Sequence, residues 1–203
     1  ARCLYDEVSP KAVIAVERLG HNAKGVYHTA FGNDISSLVP RMDYVMDLAN
    51  EAGVLTIGIG DWGNEAGLGG YSTQVEAIMP FGGKCKCPCQ AGIVTSVTSE
   101  IPIVATCSNI GAYGVTSITA LLVGNTRVLQ PPIVEEYMLQ ECMRAGGAEG
   151  YHAVVSMTKP VDTITHEAYM AVFSLMHEVL DQATVPAMWE SRGVVEDQAP
   201  VDR

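Results

Sequence analysis

The chain has 203 residues with 12 Lys+Arg against 23 Asp+Glu, a formal charge of −11 at pH 7. A surface this acidic offers no basic face to release counterions from phosphate, which excludes a nucleic-acid binder, and an anionic membrane would repel it. A hydrophobic share of 48% suits a globular domain and is too high for a disordered chain. Charged residues or glycines interrupt every apolar run well short of the about 20 residues a membrane span needs, and no basic segment leads into an apolar core at the start. Cys3, Cys85, Cys87, Cys89, Cys107 and Cys142 occur in a chain too large to need disulfide staples. Reduced thiols and an intracellular location, cytoplasmic or in the mitochondrial matrix, are the expectation.

Ala12-Val-Ile-Ala-Val16 is a short β-branched apolar run after Pro10 and predicts a buried strand ending on Glu17-Arg18. Leu19 to Asn33 reads as an ordered loop with a short hairpin around Gly25. Pro40 opens a helix with Met42, Val45, Met46 and Ala49 at helical spacing, and Gly53 stops it. A second strand, Val54 to Ile59, runs into the glycine-rich loop Gly60-Asp-Trp-Gly-Asn-Glu-Ala-Gly-Leu-Gly-Gly70. Thr73 and Glu76 have capping-box spacing for a helix towards Met79. Gly92–Val97 and Ile101–Thr106 read as two more strands; Ser108-Asn109 then enters a turn, Gly111-Ala-Tyr-Gly114, before an apolar helix through Leu122. Pro131-Pro132 starts a helix with Val134, Tyr137, Met138 and Cys142 inward, ended by Gly146-Gly147. After a loop carrying His152 and Asp162, Thr165 caps a helix with Tyr169, Val172, Phe173, Met176 and Leu180 on one face. Residues 184–203 lose periodicity and read as a mobile or subunit-crossing tail, leaving 1–183 as the domain.

Strands alternating with helices imply an α/β layered domain with a mainly parallel sheet flanked by helices. Ligands in such sheets bind beyond the carboxyl ends of the strands. Polar residues stand at three such ends: Glu17-Arg18, then Asp61 with Asn64 and Glu65, then Ser108-Asn109, so one crevice is expected to gather them. A nucleotide is not expected, because Asp61 would set negative charge beside a pyrophosphate and no GxxxxGK[ST] loop occurs. A loop of carboxylates and amides suits a hard cation or an ammonium group better. Cys85-Lys-Cys87-Pro-Cys89 has thiols at a spacing of two, but no second CxxC and no neighbouring histidine supplies a standard fourth ligand. Reduced cysteines beside a subunit contact are the favoured reading over metal or redox use. His21 and His28 lie in the loop next to Glu17 and are candidates to face the crevice; His177 reads as a packing or surface residue.

Ala15-Val-Glu17-Arg18-Leu-Gly20, Gly25-Val-Tyr27 and Asn33-Asp34-Ile-Ser36, the loop from Thr56 through Gly60-Asp61 to Gly69, Val104 to Tyr113, and Val161-Asp162 with His166 together resemble, in the same order, the D-glutamate cyclase C-terminal-domain family. Trp62, Ile110 and the Cys85 to Cys89 cluster depart from that pattern. The resemblance implies a carbon–oxygen lyase that closes D-glutamate to 5-oxo-D-proline and water, or opens the lactam, assisted by Mg²⁺ or Mn²⁺. It implies catalytic roles for Asp61, Glu65, Asn64 and Glu17, with Asp61 and Glu65 as general base or as metal ligands. Arg18, Gly60, Gly63, Ser108, Asn109, Tyr113 and Asp34 become substrate contacts, although Arg18 could equally pair with Glu17 or Asp34. A hydrolase or hydratase of another small cyclic amide, and a non-catalytic small-molecule-binding subunit, remain the alternatives. Expected partners are a small amino acid or lactam and further copies in a homo-oligomer. The domain is expected to lack an N-terminal portion here, either because the sequence is a fragment or because a separate chain or a cleaved segment supplies that part.

Overall fold

A computed structural model describes residues 1–147, 156 and 158–183. The proposed tail at 184–203 and His152 lie outside the described residues. The chain divides into two compact units, Ala1–Ala112 and Tyr113–Arg203.

The first unit is built on three parallel strands in the order β1-β2-β3: β1 (Ala12–Val16), β2 (Leu55–Gly60) and β3 (Ile101–Val104). Val13 stands opposite Thr56 and Val16 opposite Ile59, while Ile59 stands opposite Ile103. This is the expected parallel α/β arrangement. A helix the sequence reading does not anticipate, α1 (Arg2–Val8), precedes the sheet, and α2 (Tyr44–Glu51) packs beside β1 and β2. Met46 of α2 joins Ala66 and Val97 in a buried cluster, with Val13 and Ala15 of β1 against it. β1 therefore alternates: Val13 and Ala15 turn inward, whereas Ile14 and Val16 stay 50% and 41% exposed. Thr56 ties these layers together, donating to Asn50 Oδ1 at 2.7 Å and accepting from the Glu100 amide at 2.9 Å.

Residues 92–97 do not form the expected strand. Their polar backbone groups are taken by loops: the Ile93 amide donates to the Phe81 carbonyl at 3.0 Å, Thr95 to Gly63 at 3.0 Å and Ser96 to His21 at 2.8 Å. The Val97 carbonyl accepts from Gly67 and Gly69. The segment is thus a buried clasp around the glycine-rich loop. Nor does the Thr73/Glu76 capping box form, since α3 (Ser72–Ile78) follows a short turn of 3-10 helix and carries no side-chain cap. The turn expected at Gly111–Gly114 is helical, because α4 (Ser108–Leu122) already starts at Ser108. Gly111 is suited to that place: a Cβ there would lie 2.7 Å from Ile59 Cγ2 and 3.1 Å from Ala105 Cβ.

In the second unit, α5 (Pro132–Arg144) and α6 (His166–Ala183) contribute to a core of Ala120, Leu129, Phe173 and Leu180, with Tyr113 and Met176 against it. The Ala168 amide reaches Thr165 Oγ1 at 3.3 Å, so the expected cap of α6 forms. Val172 is 38% exposed rather than packed. The inward face of α5 also differs from expectation: Val134, Tyr137, Met138 and Cys142 are exposed, and the buried residue is Glu135. Its carboxylate accepts hydrogen bonds from Tyr113 at 2.7 Å, Tyr169 at 2.8 Å and Gln130 at 2.8 Å, which meet the cost of burying the charge. Burial first, then the bond to Glu135, pushes the Tyr113 hydroxyl up to about 12 and moves Tyr169 the same way. Tyr169→Phe is expected to lower unfolding stability by about 2 kcal/mol, the worth of a hydrogen bond to a charged buried group. Urea denaturation checks this, and an unchanged midpoint would show that the Glu135 cluster contributes nothing.

Candidate active site

Three chain segments meet at the carboxyl end of the sheet. Glu17 follows β1 with its amide donating to the Ile59 carbonyl at 3.0 Å, and its backbone is left-handed at φ 50. This turn swings the carboxylate across to α4, where Ser108 Oγ donates to Glu17 Oε2 at 2.5 Å. Asp61 and Glu65 come from the loop after β2. One carboxylate oxygen from each of Glu17, Asp61 and Glu65 lies within 4.8 Å of the others. The three grade from exposed Glu17 through half-buried Asp61 to Glu65, which is 1% exposed. The three carboxyls thus run from a solvated one at Glu17 to a desolvated one at Glu65.

The loop holds Glu65 by backbone. The Gly63 amide donates to Oε2 at 2.8 Å and the Trp62 amide to Oε1 at 3.3 Å. Gly60 leaves the room: a Cβ at that position would lie 2.7 Å from Glu65 Oε2. Gly63, at φ 86, supplies the left-handed turn that aims its amide inward. Burial raises the Glu65 carboxyl above its ordinary value of 4.5, opposed by the hydrogen bonds from the loop amides and Asp61. For a carboxyl raised on folding, the stability contribution is fully present below about pH 4.5 and is lost as the pH climbs to the folded value. Glu65→Gln removes that loss. Its stability relative to the parent chain is expected to rise with pH from 4.5 upward, read from urea midpoints across the pH range. Parallel pH curves for the two proteins would contradict the assignment.

The other expected site residues divide. Asn109 is the second residue of α4, half-buried beside Ser108. Asn64 is buried, but its Nδ2 donates to the His28 carbonyl at 2.8 Å, so it braces the loop from behind. Arg18 donates to the Pro40 carbonyl at 2.6 Å and lines a groove with Val13, Ala15, Met42 and Asp43 that none of the three carboxylates lines. Asp34 is exposed and accepts from the Ser36 amide at 2.9 Å; hydrogen bonds from the Ser36 hydroxyl and amide hold its carboxyl below the usual range. Tyr113 belongs to the second unit, where it bonds Glu135.

Both loop histidines have partners away from the strand-end carboxylates. His21 Nδ1 meets Asp43 Oδ2 at 2.7 Å, its ring stacks on Tyr44 at 4.9 Å, and the Tyr27 hydroxyl donates to the second Asp43 oxygen at 2.7 Å. His28 instead faces Cys85, Cys87 and Cys89, with all four ligand atoms within 4.8 Å of one another. This corrects the expectation that no histidine accompanies the thiols: the loop after β1 delivers one from far away in sequence. Burial raises the Cys85 thiol, but hydrogen bonds from Cys89 and Cys87 outweigh it and bring it to about 6, while burial pushes Cys87 up to about 11. Among the described residues, these four and the three carboxylates are the two groups arranged to hold a metal ion.

Residues 2–176 match the sequence profile of the family described as D-glutamate cyclase-like, C-terminal. A stretch of 102 residues, 50% of this chain, is 30% identical to the human protein named D-glutamate cyclase, mitochondrial. That stretch covers 15% of the human protein's length. No helix among the described residues is long and apolar enough to cross a membrane.

Proposed function

The chain belongs to the D-glutamate cyclase-like, C-terminal family, and from that premise we propose that its strand-end crevice closes D-glutamate, or a close ω-carboxyl amino acid, to a five-membered lactam, and can run the opening in reverse. The observation supporting this is the meeting of Glu17, Asp61 and Glu65 at graded depths beside Ser108. Closing the ring asks for little covalent chemistry. The α-ammonium must shed a proton, its nitrogen must attack the side-chain carboxyl carbon, and one carboxyl oxygen must depart as water with the protons the nitrogen loses. Five-membered closure already has a high effective molarity, so the protein's task is to fix the folded conformer and manage charge.

Asp61, between the exposed and buried carboxylates, serves as the base for the ammonium. Glu65, kept protonated to a higher pH by burial, serves as the acid that donates to the departing oxygen. The amides opening α4 supply donors for the tetrahedral oxyanion. Glu17 accepts a hydrogen bond from the Ser108 hydroxyl, whose oxygen then presents its lone pairs outward as an acceptor. As the alternative to this acid–base assignment, with Glu65 ionised, the oxygen donors also fit a hard divalent cation: Glu17, Asp61 and Glu65 would hold Mg²⁺ or Mn²⁺, which would supply positive charge against the crowded carboxylates and the oxyanion. A chiral assay for 5-oxo-D-proline formed from D-glutamate, with and without added Mg²⁺ or Mn²⁺, tests the reading. Tight calorimetric binding of D-glutamate without product would replace it by a binding subunit, and turnover of another cyclic amide alone would reassign the substrate.

A further inference from the structure

The crevice makes no use of the cluster on the other side of the Asn64 brace. Cys85 Sγ lies 3.5 Å from Cys87 Sγ and 3.3 Å from Cys89 Sγ, and His28 Nε2 lies 3.3 Å from Cys87 Sγ and 3.7 Å from Cys89 Sγ. Zinc ligands at bond lengths of about 2.3 Å for sulfur and 2.0 Å for nitrogen sit about 3.8 Å apart for two sulfurs and about 3.5 Å apart for sulfur and nitrogen on the edges of a tetrahedron. These four spacings lie within about half an ångström of those edges, and the remaining two pairs are within 4.8 Å. They are far longer than a disulfide bond of about 2.05 Å. His28, Cys85 and Cys87 are buried at 1%, 4% and 8% exposure, whereas Cys3 and Cys142 are exposed on helices.

We propose that His28, Cys85, Cys87 and Cys89 form a structural zinc site of the Cys₃His type, which ties the loop after β1 to the segment after α3. All four ligand atoms lie within 4.8 Å of one another, which suits a single ion; an iron–sulfur cluster would need its ligands spread over separate irons. The donors are soft, which favours Zn²⁺ over the hard cations that suit the carboxylate group. With four protein ligands no position stays open for substrate, so the role is to hold the fold. Around the sulfurs stand donors that offset thiolate charge: the Cys89 amide to Cys87 Sγ at 3.4 Å and Asn22 Nδ2 to Cys89 Sγ at 3.5 Å. Gln90, in a left-handed backbone at φ 52, turns its amide back onto the Cys85 and Cys87 carbonyls at 3.3 and 2.6 Å, closing the cysteine loop. His28 is oriented from outside by Asn64, which fixes its carbonyl. The alternating Cys-x-Cys-x-Cys run therefore has its fourth partner.

Elemental analysis of the full chain, purified reduced and without chelator, is expected to give about one zinc per chain. A mercurial thiol reagent should release that zinc in proportion to the thiols it titrates. Co²⁺ exchange should give the intense visible and near-ultraviolet bands of tetrahedral thiolate coordination. Cys87→Ser and His28→Ala should each lose most of the zinc, with Cys3→Ser and Cys142→Ser as controls that keep it. Should the ligand variants fail to fold, the release and exchange measurements on the unaltered chain decide. Iron with inorganic sulfide, a disulfide by mass under non-reducing conditions, or no zinc uptake by the reduced chain given excess Zn²⁺ would each overturn the proposal.

Discussion

Asp61→Asn is expected to lower lactam formation by about a thousandfold, in the range removal of a positioned acid or base costs, while the unfolding midpoint stays close to that of the parent. The substitution keeps the size of the side chain at a half-buried position, and its amide can donate to Glu65 where the carboxylates now crowd. On the proposed mechanism, what is lost is the group that takes the ammonium proton. The assay is product formation from D-glutamate at saturating substrate, paired with a urea curve on the same preparation. Full activity in the variant would place the chemistry elsewhere in the chain. Loss of activity together with loss of fold would instead make Asp61 a structural residue.

Gly58→Ala carries the largest stability effect expected. Gly58 lies in the central strand β2, and a Cβ there would meet Gly67 Cα at 2.5 Å and the Ala66 carbonyl oxygen at 2.7 Å. Both obstacles are backbone of the glycine-rich loop, which cannot rotate aside as a side chain would. About 3 kcal/mol is a reasonable cost for overpacking of this kind, with the acidic loop pushed off the strand as it relaxes. Gly53→Ala is the control: φ there is 66, but nothing lies within 4 Å of the new Cβ, so only the left-handed backbone is penalised, at about 1 kcal/mol. Urea midpoints that rank Gly53→Ala as the more damaging change would show that the strand and loop are not in contact as described.

The sequence reveals the sheet because its signal is local. β1 appears at the expected residues, and β2 shifts by one, since β-branched runs between breakers hold the information that makes a strand. The failures have the opposite cause. Residues 92–97 look like a strand but give their amides to Phe81, Gly63 and His21, partners no window of sequence contains. Gly111 and Gly114 read as a turn, yet the close approach of Ile59 makes Gly111 the residue a packed helix needs there. On α5 the apolar side chains suggest an inward face, while three hydrogen bonds hold Glu135 inside instead.

The site divides along the same line. Glu17, Asp61, Glu65 and Ser108 are legible because strand ends in a parallel sheet converge by topology. Arg18 and Asp34 are not gathered with them, since each finds a backbone partner nearer to hand at Pro40 and Ser36. His28 is read as facing the crevice rather than the thiols because metal ligands are recognised by spacing, and the loop that carries it reaches the thiols only in the folded chain.

Glu17 shows where the demands on this chain part company. Its left-handed backbone is a conformation glycine adopts freely and a side chain adopts at a cost of about 1–2 kcal/mol. Selection for foldability alone would drift this position towards glycine, and the strand would end as well without the carboxylate. A lineage that no longer needed the crevice should therefore lose Glu17 early, before the buried Glu65, whose removal would leave the Gly63 and Trp62 amides without their acceptor. The order in which the acids disappear among diverged relatives becomes a record of which of them still carry out chemistry.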